Sequence, residues 1–175
     1  MFDNKIPNLD FPSLKVVRDD VDMPVLSSGG YVHMKDLEPD ASVMSHTGKF
    51  NKVIKVDYEE TDTLYKIDFL GYEPVYSSGN LLFYVCDLTL DNRRFVSLKD
   101  IDADKVYFCT PVASYSYRDY SYPHSKDEKY FYFKASEISY KKENVSVFFL
   151  RTEKEGSYIM GGFSVLCQNK KQESF

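Results

Sequence analysis

Residues 32–40 read Val-His-Met-Lys-Asp-Leu-Glu-Pro-Asp, and residues 96–104 read Val-Ser-Leu-Lys-Asp-Ile-Asp-Ala-Asp. Four of the nine positions are identical, and three more carry similar side chains. A segment that is used twice in one chain indicates an internal structural repeat. We therefore interpret the chain as two related units.

A second pair of segments repeats in the same order further along the chain. Residues 64–86 align without gaps on residues 145–167. The two segments have similar apolar alternation, and the last residue of each is a cysteine. The second half is the longer of the two, and segment 113–129 accounts for its extra length. Each unit is too small to bury its own apolar face, so we expect a pseudo-two-fold domain with one shared core and an insertion in its second half.

Short apolar runs predict that both units are built from strands. The runs are four to six residues long and most have turn residues nearby: 52–56, 64–69, 80–85, 105–108, 129–134, 145–150 and 164–167. Helical periodicity is confined to single turns at 34–37 and 98–101. The sequence predicts an all-β domain with long antiparallel ribbons and few short helical turns.

Composition and charge argue against several classes of function. The 175 residues carry a net charge of -5, which argues against a general nucleic-acid binder. No apolar run reaches the roughly 18 residues of a membrane span, and the first residues lack the layout of a secretory signal. We therefore expect a cytoplasmic or virion-associated protein with no membrane contact.

The cysteines and histidines predict no metal site, no disulfide framework and no cofactor. Cys86 and Cys167 end equivalent segments and are interpreted as buried apolar side chains, with a mutual approach near the pseudo-two-fold axis as the alternative. The three histidines, His33, His46 and His124, are scattered and interpreted as solvated loop residues. The acidic pairs at 19–20 and 59–60 are likewise interpreted as solvated.

Residues 24–56 resemble the opening of a Hint domain, the self-processing domain of inteins and hedgehog proteins. The stretch contains an apolar strand, a Gly-Gly turn, a Lys-Asp-Leu segment, a Thr-Gly-Lys turn and a Val-Ile-Lys-Val strand. Residues 74–85 (PVYSSGNLLFYV) resemble the second block of the family, residues 145–167 resemble its closing block, and residues 95–108 fit between them. The resemblance covers about residues 19–168 and implies a pseudo-two-fold, horseshoe-like β disc, in agreement with the repeat.

The resemblance also implies where the family's chemistry would lie, and this sequence departs from the pattern at each place. The first residue of the family domain is a Cys or Ser nucleophile, but residues 18–20 are Arg-Asp-Asp. The Thr-x-x-His pair corresponds to Ser78 and Leu81, which keep the hydroxyl and lack the imidazole. The closing His-Asn pair corresponds to Leu166 and Cys167, which can neither transfer the proton nor cyclise to a succinimide. We expect a non-catalytic Hint-like fold, with self-processing through non-standard residues such as Ser78 and Cys167 as the alternative.

Segment 113–129 (ASYSYRDYSYPHSKDEK) is the best candidate for a functional surface, because the repeat does not require it and it has no aliphatic residue beyond Ala113. Tyrosine offers a large rigid contact area and serine adapts its hydrogen bonds, which is typical of protein-binding surfaces. The candidate partner-binding residues are Tyr115, Tyr117, Arg118, Tyr120, Tyr122 and His124. The alternatives are a solvated hairpin whose aromatic side chains pair across strands, and stacking on nucleobases.

The chain is divided into an apolar N-terminal arm at 1–18, the Hint-like body at 19–169 and a tail at 170–175. The excess of Lys over Arg, 17 to 5, and the 15 Tyr and 13 Phe indicate an AT-rich genome such as that of many phages. The leading hypothesis is a structural or protein-interaction module, as a virion component of the neck, tail or baseplate that contacts other virion subunits as an oligomer. A regulator that binds a host protein would use the same contact surface.

Overall fold

The computed structural model describes residues 17–117 and 123–166, without the side chains of residues 115–117. Strands dominate this part of the chain, and its helices are 3₁₀ helices of three to six residues. The strands are β1 (Pro24–Ser27), β2 (Gly30–His33), β3 (Ser42–Met44), β4 (Phe50–Phe69), β5 (Val75–Ser78), β6 (Leu82–Asp87), β7 (Arg94–Ser97), β8 (Val106–Pro111), β9 (Ser125–Lys126), β10 (Tyr130–Phe133), β11 (Ala135–Thr152), β12 (Ser157–Met160) and β13 (Phe163–Leu166). The 3₁₀ helices are Asp19–Val21, Met34–Asp36, Leu98–Asp100, Ala103–Lys105 and Val112–Tyr117. The prediction of an all-β domain with few short helical turns is confirmed.

The strands pair antiparallel along one continuous path. Its order is β11-β4-β3-β1-β12-β13-β6-β8-β10-β9, with β2 added on β1, β5 on β4 and β7 on β6. Among the described residues, no helix has the length and apolar character needed to cross a membrane.

A long ribbon of β4 and β11 borders the body of the domain. The two strands pair from Phe69 opposite Ala135 to Val53 opposite Thr152, with register shifts along the way. The runs predicted at 52–56 and 64–69 are therefore parts of one strand of 20 residues. The polar residues between the two runs do not interrupt the strand, because pairing with β11 satisfies their backbone groups.

The first repeat found in the sequence is a strand followed by one helical turn. β2 leads into the 3₁₀ helix Met34–Asp36, and β7 leads into the 3₁₀ helix Leu98–Asp100. Met34 and Leu98 hold equivalent positions, and each is 1% exposed. The amides that follow, of Leu37 and Ile101, donate to the Met34 and Leu98 carbonyls at 3.3 and 3.1 Å. Both predicted helical turns are confirmed, and their buried aliphatic residue explains why the motif recurs.

The second repeat is a succession of three strands. The end of β4, β5 and β6 correspond to the end of β11, β12 and β13. The pairing differs between the halves, because β5 returns along β4 whereas β12 pairs with β1 and β13. The two units are thus alike in local structure and unlike in how their second strand closes the sheet.

One core joins both halves, as the repeat predicted. Phe69 from the first unit stacks on Phe163 from the second, with ring centroids 4.1 Å apart. Phe163 also meets the edges of Phe108 and Phe133, at 6.3 and 5.3 Å. A second, smaller cluster lies around Cys86, Tyr107, Cys109, Tyr130 and Tyr132.

Candidate functional site

Three distant segments of the chain converge on one small cavity. The cavity holds about 20 Å³, enough for one water molecule, and Val21, Ser78 and Leu81 are among the residues that line it. β13 pairs with β6, and in this pairing Leu166 lies opposite Leu82. Leu82 follows Leu81 in the sequence. The beginning of the body and the Ser78–Leu81 turn therefore meet at this cavity, and the end of β13 pairs beside β6 without lining it. Cys167 lies outside the described residues.

A chain of polar side chains holds the Ser78 hydroxyl in this place. Ser78 Oγ donates to Glu59 Oε1 at 2.9 Å, and Asn80 Nδ2 donates to Glu59 Oε2 at 3.1 Å. Lys99 Nζ donates to Asn80 Oδ1 at 3.1 Å. The prediction that Glu59 is merely solvated is wrong, because both of its oxygens accept hydrogen bonds from the turn after β5.

The turn that carries Ser78 is fixed on both sides. The amides of Leu98 and Lys99 donate to the carbonyls of Leu81 and Gly79, each at 3.0 Å. A Cβ atom at Gly79 would lie 2.7 Å from the Tyr65 ring, so only glycine fits this close approach. Ser78 is 2% exposed, and its hydroxyl is therefore a rigid, buried group rather than an open nucleophile.

A wider open cleft of about 850 Å³ adjoins the same site. Its lining includes Arg18, Glu59, Glu60, Asp62 and Asn80. The Arg18 guanidinium contacts Asp20 at 3.0 Å and also pairs with Glu143 on β11. Hydrogen bonds from Arg18 and then Lys141 hold the pKa of Glu143 below its usual range. Residues 18–20 therefore supply ion pairs where the resembled family has its nucleophile.

Leu81 lines the cavity and brings no titratable group to it, and Leu166 is not among the lining residues. Leu81 is 8% exposed and belongs to the main core. The histidines lie elsewhere: His33 is hydrogen-bonded at its ring Nδ1 to the Asp22 backbone carbonyl, and neither His46 nor His124 lines the cavity or the adjoining cleft. Within the described residues no three His, Cys, Asp or Glu side chains cluster in a way that could hold a metal ion.

His46 is not the solvated loop residue that the sequence predicted. Its Nδ1 lies 2.7 Å from Oγ of the fully buried Ser157, whose oxygen also accepts the His46 amide at 3.0 Å. Its ring meets Tyr84 and Phe95 edge-on, with centroids 4.8 and 5.1 Å away. Burial lowers the pKa of His46, and the charge of Glu155 only partly opposes this effect. The half-buried ring of His46 anchors its loop.

The two cysteines in the described part of the chain, Cys86 and Cys109, are buried apolar side chains, as predicted for Cys86. Cys86 and Cys109 are both free and 0% exposed, and they belong to one apolar cluster. Burial raises the pKa of both thiols, so neither is an activated nucleophile. The neighbour of Cys86 is Cys109, since the two lie on paired strands β6 and β8.

The Tyr-rich insertion leaves the body between β8 and β10. Its first residues form the 3₁₀ helix Val112–Tyr117, and its last part contains the short strand β9. The side chains of Tyr115 and Tyr117, and all of Arg118, Tyr120 and Tyr122, lie outside the described part of the structure. His124 is described: its ring lies 4.6 Å from Tyr107, and its amide donates to the Tyr132 carbonyl at 2.7 Å.

A polar cluster around Arg93, which the sequence did not reveal, anchors the end of the insertion. Arg93 lies 4.9 Å from the centre of the Tyr130 ring and donates to the Tyr132 hydroxyl at 3.2 Å. That hydroxyl donates to Asp127, whose other oxygen accepts the Tyr130 amide at 2.8 Å. Arg93 and Asp127 lie far apart in the sequence, and no spacing rule relates them, which is why sequence reasoning missed the cluster.

Solved structures of inteins have the same fold. The gp41-1 intein superposes with a TM-score of 0.58 at 13% identity, over 84% of this chain and 95% of that chain. A bacterial intein-like domain from Clostridium thermocellum gives 0.60 at 14% identity, over 83% and 94% of the two chains. A DnaB intein from Synechocystis gives 0.61 at 14% identity, over 85% and 96%.

No family model matches the sequence, and no curated protein matches it. At 13–14% identity the likeness to inteins establishes the fold and says nothing about chemistry. The pseudo-two-fold β architecture, the shared core and the intein neighbours together show that this chain has the Hint fold.

Proposed function

We propose that this chain is a non-catalytic Hint-fold module that acts by binding a protein partner. The observation that carries the proposal is the cavity where residue 21 meets the Ser78–Leu81 turn, because Leu81 lines it at the place that the resemblance assigns to an imidazole. Leucine also stands at position 166, so both residues that the resemblance matches to proton-transferring groups of the family lack such a group.

The loss of these groups removes the chemistry rather than tuning it. Positioned general acids and bases accelerate such steps by roughly 10²–10⁴-fold each, and a leucine side chain can neither give nor take a proton. The other expected reactant, a nucleophile at the start of the domain, is replaced by residues 18–20, where Arg18 is engaged in ion pairs. A module with this site retains the fold and lacks the self-processing activity.

The Tyr-rich insertion supports binding as the retained function. Both of its ends are anchored on the body: its start leads from the fully buried strand β8, and Asp127 is held by Tyr132. Rigid ends lower the entropy that a binding loop loses on contact. A tyrosine- and serine-rich segment with fixed ends is the kind of surface that binds another protein.

Mass spectrometry of a flanked chain tests the non-catalytic part of the proposal. A small reporter domain is fused to each end of residues 1–175, and the fusion is incubated with and without dithiothreitol. We expect one species at the full mass under both conditions. The Ser78→Ala fusion is the matched control, because a shortened product that disappears with this change would assign cleavage to Ser78.

The hydrogen bond between Ser78 and Glu59 favours a second candidate function, self-processing with Ser78 as nucleophile. A carboxylate that accepts a hydrogen bond from a serine hydroxyl, with 2.9 Å between the oxygens, has the geometry of a general base. Against this, Ser78 is 2% exposed and its partner is shared with Asn80. A fusion with Glu59→Gln separates the two candidates: self-processing would slow in this variant, whereas a non-catalytic module gives the same intact mass.

Capture of a partner tests the binding part of the proposal. The intact chain and a variant with Tyr115, Tyr117, Arg118, Tyr120 and Tyr122 changed to Ser serve as parallel baits in an extract of the native source. We expect one stable partner on the intact bait and its loss from the variant. A partner held equally by both baits would move the contact away from the insertion, with the apolar arm at 1–18 as the next segment to test.

We further propose that the module works as a virion component of a phage, in the neck, tail or baseplate. This part rests on the coding bias toward Lys, Tyr and Phe alone. Proteomics of purified virions from the native source decides it. We expect peptides of this chain at a fixed ratio to other structural subunits, and their absence from virions would leave the alternative of a host-binding regulator.

A further inference from the structure

A second concave surface of about 610 Å³ lies apart from the insertion. It is formed by residues around the first 3₁₀ helix, β1, β2 and the segment before β5, and its volume is in the range of ligand-binding pockets. Its walls combine carboxylates with aromatic rings and include Asp22, Tyr31, Glu73, Pro74 and Tyr76. None of its residues belongs to segment 113–129, so a ligand held in this cleft goes beyond the proposed function.

The charge of this cleft is acidic. Four carboxylates line it, those of Asp19, Asp20, Asp22 and Glu73. Two of them are paired at the rim, Asp19 with Lys35 at 3.0 Å and Asp20 with Arg18 at 3.0 Å. Glu73 is exposed and forms no ion pair or hydrogen bond with a described residue. Because Glu73 has no charged partner among the described residues, its carboxylate attracts a cation from outside.

Asp22 adds a buried carboxylate whose hydrogen bonds are incomplete. The residue is 1% exposed, and its Oδ1 accepts the Met34 amide at 3.1 Å. Its other oxygen, Oδ2, is buried and has no hydrogen-bond partner. Buried polar atoms in native proteins are nearly always paired, and an unpaired one calls for an explanation such as an absent ligand. Desolvation raises the pKa of Asp22, which is the direction that a bound cation would reverse.

We propose that this cleft binds the guanidinium group of an arginine side chain presented by a protein partner. A planar guanidinium stacks on aromatic rings and donates to several carboxylates at once, and this cleft offers the rings of Tyr31 and Tyr76 beside Asp22 and Glu73. A compact metal ion fits less well, since the described residues bring no three metal-binding side chains together. Lysine lacks the flat face that the two tyrosines would cover.

Titration followed by amide NMR tests this inference directly. The probe is a blocked Gly-Arg-Gly peptide, and the control is the same peptide with citrulline, which keeps the shape of arginine and removes the charge. We expect saturable shifts at the amides of His33 and Gly161, two residues of the cleft, with the arginine peptide only. Equal shifts with the citrulline peptide, or no saturable shift with either peptide, would overturn the inference.

Two variants locate the binding, and both are examined in the full chain. Glu73→Gln changes an exposed wall residue and should weaken the binding of the arginine peptide about tenfold. Glu153→Gln changes an exposed residue outside the cleft and should leave the affinity unchanged. Asp22→Asn should weaken it similarly, provided that thermal unfolding shows a folded variant. Equal weakening by Glu73→Gln and Glu153→Gln would mean a diffuse charge effect and would refute the site. Free arginine serves as a further ligand, and binding about tenfold tighter than the peptide would replace the protein partner by a small molecule.

Discussion

Replacing Glu59 by alanine removes the carboxylate that holds the Ser78–Leu81 turn. Ser78 is 2% exposed, so its hydroxyl would lose the carboxylate it bonds to, and a replacement water would have to be confined beside it. An unsatisfied buried group of this kind costs about 1–3 kcal/mol. Asn80 is exposed and can bond to water instead, so the loss of its bond to Glu59 adds little to this cost. We therefore expect Glu59→Ala to lower the free energy of unfolding by about 2 kcal/mol.

Urea denaturation followed by far-UV circular dichroism measures this loss, with Glu60→Ala as the matched control. Glu60 is the next residue on β4, is more exposed, and does not bond to Ser78 or Asn80. A double-mutant cycle with Ser78→Ala isolates the pair, and we expect a coupling energy of about 1 kcal/mol. If Glu59→Ala and Glu60→Ala cost the same within a few tenths of a kcal/mol, or if the coupling is zero, the proposed network does not hold the turn.

The packing and the pKa directions support three further predictions. Phe163→Ala should lower the free energy of unfolding by about 3–5 kcal/mol in urea, since its ring is 1% exposed and stacks on Phe69; a cost below about 1 kcal/mol would contradict a core shared by the two halves. Gly79→Ala should cost about 1–3 kcal/mol, because its Cβ would lie 2.7 Å from the Tyr65 ring, whereas Gly29→Ala, with its nearest contact at 3.9 Å, is the control that should cost much less. Burial lowers the pKa of His46 below its ordinary 6.5, so the unfolded chain binds the proton more readily and stability falls as the pH drops through about 6.5. His46→Phe should flatten this part of the pH profile of the free energy of unfolding, and an unchanged profile would show that His46 does not titrate as a buried group.

The fold was largely predictable because it depends on local patterns that occur twice. The Val-x-aliphatic-Lys-Asp segments and the apolar alternation after residues 64 and 145 reflect strands and turns whose side chains meet one core. Such periodic signals survive in the sequence because burial selects for them residue by residue. The same patterns did not predict that 50–69 is one strand, since its polar middle is stabilised by pairing with β11, a partner distant in the sequence.

The candidate site was only partly predictable. Ser78, Leu81 and Leu166 were singled out through the family resemblance; Ser78 and Leu81 line one cavity, whereas Leu166 pairs with Leu82 and does not line it. Glu59 and Lys99 were missed because they reach the turn from other parts of the chain, and a lone acidic or basic residue carries no sign of its partner. His46 was misread for the same reason: its burial comes from Tyr84, Phe95 and Ser157, all distant in sequence.

The measurement that tests the central claim most directly is the intact mass of the chain fused to a reporter domain at each end, followed over a long incubation with thiol. We expect a single species at the full mass, because the proposal assigns the proton-transfer positions to leucines and the place of the nucleophile to residues 18–20, Arg-Asp-Asp. A species that lacks either reporter, formed by the unaltered chain and not by the Ser78→Ala variant, would show that the Hint fold here still performs chemistry.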